Sequence, residues 1–151
     1  MGRKMVMTSG FQSDLCVSLK PGTDCIWLIT KPLIYYSELL GQLITVPPWF
    51  ETKEPDPSED YSFFETDFAS VPRVPVIYLA WGDRAHREAV LHDYLYRIDS
   101  KPIVTYSQAN NVFLEAMKST GKPWYISYGM YYGVVLGGFG SYHKRRVKDR
   151  L

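Results

Sequence analysis

Cysteine is scarce in this sequence, and its scarcity excludes several architectures. Only Cys16 and Cys25 occur, and no Cys-x-x-Cys motif is present. A disulfide framework or a zinc ribbon needs more thiols at closer spacing, so we expect two thiols in a reducing compartment. The first residues include basic side chains but no apolar stretch of the length that a secretory signal needs. We therefore expect synthesis in a cytoplasm, with exit only by lysis or within a particle.

The sequence also lacks an excess of positive charge and a long apolar run. Its 17 Lys and Arg residues nearly balance 16 Asp and Glu residues, for a formal net charge of +1. A protein that binds the phosphate backbone usually shows a clear basic excess, so we expect no nucleic-acid partner. Residues 124–139 are uncharged but fall short of the ~20 residues that span a bilayer. We therefore expect no transmembrane segment.

The chain has the length of a single domain and is rich in aromatic residues. Its 151 residues can bury a core without metal or disulfide support. The 12 Tyr, 7 Phe and 4 Trp residues favour a tightly packed core or a surface that meets a partner. Short β-rich runs fall at residues 25–29, 33–36 and 43–46. Residues 51–62 are acidic and proline-rich, which predicts a surface insertion.

Helical spacing dominates the second half of the chain. One helix is predicted between an N-cap at Gly82-Asp83 and a stop at residues 99–102, and another over residues 107–120, ended by Gly121. Residues 124–139 contain glycines four apart, which fits a helix packed on another helix of the same domain, with membrane or oligomer contact as the alternative. A strand and turn also stays open. Residues 143–151 form a basic tail. The sequence predicts an α+β fold, with N-terminal antiparallel β-strands followed by two or three C-terminal helices in a single domain, residues 1–151.

The first candidate for chemistry is His92. Glu88 precedes it by one helical turn and Tyr96 follows it by one turn, so the three share a stripe. A carboxylate at this spacing would hold the imidazole tautomer and raise its basicity. Asp93 is rotated by about 100° and would line the same cleft from the next edge of the helix. His86 lies two helical turns before Asp93, roughly 10 Å along the helix axis, so we leave it out of the site.

The second candidate is the segment before the helix. Asp67 and Ser70 stand three apart between apolar neighbours and before Pro72. An aspartate in such a segment either caps nearby backbone amides or points its carboxylate into a site. Both alternatives stay open on these residues alone.

Three motifs together resemble a known family. They are residues 66–73 (Thr-Asp-Phe-Ala-Ser-Val-Pro-Arg), 89–96 (Ala-Val-Leu-His-Asp-Tyr-Leu-Tyr) and 109–117 (Ala-Asn-Asn-Val-Phe-Leu-Glu-Ala-Met). They resemble the phage and prophage family catalogued as domain of unknown function 1353. The resemblance implies a tail or other virion role and carries over Asp67, Ser70, His92 and Asp93. Where the family tends to have Ala-Asp, this chain has Ala109-Asn110, which offers an oxygen without the charge.

Two functions follow from these expectations. The first is a virion component: a small tail, baseplate or connector module that contacts other phage proteins or itself, within which the His/Asp residues form a buried network. The second is a phage-associated hydrolase of cell wall or lipid. In this hydrolase His92 would be the base and Ser70 a conceivable nucleophile. The candidate ligands for a divalent ion, zinc or calcium, are Asp67, His92 and Asp93. The supporting residues would be Glu88, Tyr96 and Asn110.

A fainter similarity bears on the second function. Residues 92–96 are similar to the His-Asp-x-x-Tyr helix of secreted calcium-dependent phospholipases, although their disulfides and glycine-rich calcium loop are absent here. Both functions depend on the fold bringing the Asp67 carboxylate beside the His92 imidazole.

Overall fold

The computed structural model describes residues 7–22, 27–48, 65–66, 85–137 and 142. Within them the strands come first and the helices second, which confirms the predicted α+β order. The described strands form two three-stranded antiparallel sheets. The predicted insertion at 51–62 and the basic tail at 143–151 lie outside the described residues.

The larger sheet holds β1 (Gly10–Phe11), β4 (Leu33–Ser37) and β5 (Gln42–Val46), in the order β1-β4-β5. Strands β4 and β5 form a hairpin whose register runs from Leu33 opposite Val46 to Ser37 opposite Gln42. Alternate side chains face the core, as the period of two in a strand requires. The buried ones are Leu33, Tyr35, Ser37, Ile44 and Val46.

The smaller sheet holds β2 (Val17–Leu19), β3 (Trp27–Ile29) and β6 (Glu65–Thr66), in the order β2-β3-β6. In it Trp27 lies opposite Thr66, and Leu28 lies opposite Glu65. Strand β6 thus brings the beginning of the first family motif to the edge of this sheet.

Three helices follow: α1 (His86–Tyr96), α2 (Tyr106–Ser119) and α3 (Trp124–Gly137). Helix α2 begins with a capping box, in which the Thr105 side chain accepts from the Gln108 amide and the Gln108 side chain accepts from Thr105 N–H. It ends before Gly121, whose φ of +74° is the left-handed conformation that glycine adopts without strain. The third element is a helix and not a strand and turn.

The bounds of α1 differ from the prediction at both ends. Its N-cap residue is Ala85, which makes no side-chain capping bond, and its first residue is His86. The predicted N-cap at Gly82-Asp83 lies outside the described residues. At the other end, Arg97 turns to extended backbone at φ −76° and ψ 146°. Its guanidinium binds Asp99 at 2.8 Å, a local ion pair that hydrophobic periodicity does not encode.

The core lies between the larger sheet and helices α1 and α2. Strand side chains such as Tyr35 and Ile44 pack with Leu91, Leu95 and Val112 in one cluster. A second cluster joins α1, α2 and α3 through Ala89, Phe113, Met117, Ile126 and Met130. Helix α2 takes part in both clusters, so it holds the sheet and the other two helices together.

Candidate functional site

His92, Tyr96 and Asn110 meet where α1 crosses the beginning of α2. The His92 Nε2 lies 2.8 Å from the Asn110 Oδ1. The Tyr96 hydroxyl donates to the same oxygen at 2.7 Å. Tyr96 shares the stripe of His92 because it follows by one helical turn. The structure thus brings together three of the residues predicted to form the site.

The imidazole is sealed into the helical core. His92 is 1% exposed, and Asn110 is also 1% exposed. The His92 ring lies 4.0 Å from the Tyr96 ring and 4.8 Å from the Phe113 ring, centroid to centroid. Burial lowers the pKa of His92 from 6.5 to about 4, and the hydrogen bond to Asn110 opposes this shift only in part. The imidazole is therefore neutral near pH 7.

The hydrogen bonds also fix the tautomer. A carboxamide oxygen can only accept, so His92 Nε2 must carry the proton that it shares with Asn110 Oδ1. In the neutral ring Nδ1 is then unprotonated, and its lone pair is free to accept a proton or a cation. His92 Nδ1 and Asn110 Nδ2 are both buried without a hydrogen-bond partner among the described residues. A buried polar atom of this kind calls for a water, a ligand or another part of the chain.

Glu88 does not support His92, contrary to the prediction. Its carboxylate accepts from the Thr120 hydroxyl at 2.6 Å and forms an ion pair with Lys122 Nζ at 2.7 Å. Both partners belong to the connection between α2 and α3, which packs over the first turn of α1. Because Glu88 is 1% exposed, the pair neutralises a buried charge and fixes the position of this connection.

The remaining predicted site residues have separate outcomes. Asp93 is half-buried on the next edge of α1. Asp67 and Ser70 lie outside the described residues, so the contact between Asp67 and His92 stays a prediction. Within residues 7–22, 27–48 and 85–137, no three His, Cys, Asp or Glu side chains are grouped closely enough to hold a metal ion.

Glu115 is a second polar centre that the sequence did not indicate. Its carboxylate accepts hydrogen bonds from Ser9, Tyr35, Ser37 and the Leu39 amide, at 2.7, 3.2, 2.7 and 2.9 Å. These donors come from the N-terminal segment, strand β4 and the turn after it. The only signal in the sequence was the place of this glutamate in the third motif, between positions 112 and 116, which are buried in the structure.

An aromatic cluster adjoins the His92 centre. The rings of Tyr96, Tyr106 and Tyr142 lie 5.5 to 5.7 Å apart. Tyr106 donates its hydroxyl proton to the Val135 carbonyl at 2.6 Å, and Tyr142 donates to the Val104 carbonyl at 2.5 Å. Burial raises the pKa of Tyr96 above its usual value, so its hydroxyl stays a proton donor to Asn110. The cluster ties α3 and Tyr142 to the end of α1.

Comparison with known proteins gives one match. Residues 61–134 match the model of the family described as Protein of unknown function (DUF1353). The match covers the motifs at 66–73, 89–96 and 109–117, and it confirms the resemblance predicted from them. No curated protein and no solved structure matches the chain. Helices in the described ranges are too short or too polar to cross a membrane.

Proposed function

We propose that this chain, whose residues 61–134 match the model of the DUF1353 family, is a structural component of a bacteriophage particle. In this role it is a small tail, baseplate or connector module that acts through contacts with other virion proteins. The observation that carries the structural role is the burial of His92, which is 1% exposed and held between two aromatic rings. His92, which belongs to the motif at residues 89–96, thus lies in the core.

The energetics of this centre support a structural role. Asn110 Oδ1 accepts two buried hydrogen bonds, one from α1's His92 and one from Tyr96. Removing a partner from a buried hydrogen bond of this kind costs about 1–3 kcal/mol. The two bonds to Asn110 Oδ1 therefore hold α1 against α2 at this point. Rigid placement of surfaces is what a module that works by fitting its neighbours requires.

The surface supports contact with partners. Several large apolar side chains are exposed, among them Ile103 at 71% and Trp124 at 75%. Exposed aromatic side chains are enriched where proteins meet. The near-zero net charge gives little long-range attraction to nucleic acid.

Mass spectrometry of purified particles tests the virion proposal. Particles would be prepared from the phage or induced prophage that encodes the chain, with the infected-cell lysate as the comparison. We expect the chain to copurify with tail proteins in a constant ratio through a density gradient. Its presence in the lysate but not in the particles would refute the proposal.

One observation favours a second candidate, a phage-associated hydrolase of cell wall or lipid. The unprotonated Nδ1 of His92, with Nε2 held by Asn110, is the arrangement of a histidine that acts as a base or a metal ligand. In this proposal His92 takes a proton or binds a zinc or calcium ion, with Asp67 and Asp93 as further ligands. The carboxylates would supply negative charge, and Asn110 would orient the ring.

Metal analysis of matched variants separates the two candidates. His92→Gln keeps a donor for Asn110 but lacks the Nδ1 lone pair at the ring edge. Under the structural proposal the purified protein and His92→Gln contain the same negligible metal content, and the variant loses stability. A stoichiometric zinc or calcium content that disappears in folded His92→Gln would favour the hydrolase.

A further inference from the structure

The outward side of α3 carries a continuous row of large side chains. Trp124, Tyr128, Tyr132 and Leu136 recur every four residues and are 75%, 36%, 57% and 85% exposed. Residues at this spacing form one ridge on a helix surface. The Tyr128 and Tyr132 rings lie 6.4 Å apart, side by side along the ridge. No residue of α3 is charged.

The neighbouring row on the surface of α3 has almost no side chains. It contains Tyr125 and then Gly129, Gly133 and Gly137, again four apart. Gly129 and Gly133 are half-buried, and a Cβ added at Gly137 would meet nothing within 4 Å. Each glycine in a helix interior costs about 1 kcal/mol relative to alanine. The glycine row lies beside the ridge as a groove that α1 and α2 do not fill at its C-terminal end.

We propose that α3 is the surface through which two copies of this chain pair, the aromatic ridge of each copy lying in the glycine row of the other. Packing of four-residue ridges into four-residue grooves is the commonest arrangement of two helices, with axes inclined by roughly 50°. A glycine row lets the partner's backbone and side chains approach closely. One helix that carries both a ridge and its matching groove is complementary to itself.

Two-fold symmetry fits the spacing of the ridge. In a symmetric dimer each residue that contacts another across the axis is contacted by it in return. With the axis at the level between Met130 and Tyr131, Tyr128 of one copy lies opposite Gly133 of the other, and Tyr132 lies opposite Gly129. The same axis places Trp124 opposite Gly137 and Leu136 opposite Tyr125, so each ridge meets the glycine row of the other copy. Met130 itself is fully buried and points away from this face.

The exposed area is sufficient for such a pair. A large aromatic side chain presents roughly 200 Å² when fully exposed, so the ridge and Tyr125, at 52% exposure, leave roughly 600 Å² on each copy. The pair would bury roughly 1,200 Å², the lower end of stable specific interfaces. A patch above a few hundred Å² is itself unusual for a monomer. Lys118 lies over the Tyr128 ring at 4.8 Å and supplies a polar rim.

Charge also favours a second copy over a different partner. Helix α3 itself has no charged residue, and the exposed Lys118 beside Tyr128 belongs to α2, so pairing of α3 with itself buries no charge of α3. The whole chain carries a formal charge of +1, so two copies repel each other little. This pairing does not depend on the virion proposal, because incorporation into particles is measured separately.

Sedimentation velocity over a concentration series tests the pairing. We expect a reversible dimer for the unmodified chain. Tyr132→Glu, which places a charge in the middle of the ridge, should weaken the dimer about 30-fold or more, the effect of losing a central hot-spot residue. Leu43→Glu is the matched control, because Leu43 is 50% exposed on β5, away from α3. The control should dimerise like the unmodified chain.

A second measurement needs no substitution. The melting temperature of a dimer rises with protein concentration, whereas that of a monomer does not. We expect such a rise for the unmodified chain and none for Tyr132→Glu. A chain that stays monomeric at every concentration, with its face free or covered by another part of the same chain, would overturn the proposal. So would a Tyr132→Glu dimer as stable as that of the unmodified chain.

Discussion

Protonation of His92 should make the folded protein sensitive to mild acid. The pKa of the imidazole is about 4 in the folded protein, against 6.5 for the unperturbed side chain of the unfolded chain. Above pH 6.5 neither state binds a proton at this position, and the histidine contributes no pH dependence. Below pH 6.5 the unfolded chain binds the proton first, so stability falls as the pH falls.

The size of this effect follows from the two pKa values. The cost approaches about 1.4 kcal/mol per pH unit in the middle of the window and is smaller near 6.5 and near 4, so the whole window costs about 3 kcal/mol. That is a large part of the 5–15 kcal/mol that typically stabilises a domain. Below a pH of about 4 the folded protein is protonated as well, and the contribution of His92 stops changing.

Urea unfolding at a series of pH values measures the effect, with His92→Gln as the comparison. Glutamine does not titrate and can still donate to Asn110 Oδ1. Carboxylates titrate in both proteins, so the difference between the two curves isolates the imidazole. We expect the unmodified chain to lose about 3 kcal/mol more than His92→Gln between pH 7 and pH 4. Parallel curves would refute the burial of a neutral His92.

Three further predictions concern stability and are measured by the same unfolding assay. Glu115→Ala should cost about 3 kcal/mol, because four hydrogen-bond donors lose their acceptor; a cost below 1 kcal/mol would contradict the hub. Glu88→Gln should cost about 3 kcal/mol by leaving the Lys122 charge uncompensated, and adding Lys122→Met should restore part of it; strictly additive losses would argue against the pair. Gly121→Ala should cost about 1–2 kcal/mol at φ +74°, whereas Gly10→Ala, which has open space and no positive φ, should be nearly neutral; equal costs would contradict the left-handed turn.

The sequence predicted the elements that are governed by local rules. The β-rich runs at residues 33–36 and 43–46 were predicted as strands, and β4 and β5 have nearly those bounds. The second predicted helix is shifted by a single residue at each end, because Thr105 and Gln108 form a capping box that starts it at Tyr106. Gly121 ends it as predicted.

The site was predictable only where it follows one helix. His92 and Tyr96 share a stripe of α1, and their contact follows from the helical period. The partners of Glu88 and Glu115 lie 32 to 106 residues away in sequence. No local pattern specifies which of two buried carboxylates meets a lysine and which meets a set of hydroxyls. Those contacts depend on how the helices pack on the sheet.

The burial of His92 was the other property that the sequence did not determine. The sequence left open whether His92 lines a cleft or belongs to a buried network. In the structure Tyr96 and Phe113 close over His92, and burial lowers its pKa. Burial on this scale arises from the sum of the packing around a residue, which sequence spacing alone does not determine.

Nitrogen chemical shifts of the His92 imidazole, measured by NMR through a pH titration, test the central claim most directly. The account predicts a neutral ring with its proton on Nε2 near pH 7 and a titration midpoint near pH 4. A midpoint between 6 and 7, or a proton on Nδ1, would contradict a buried imidazole held by Asn110.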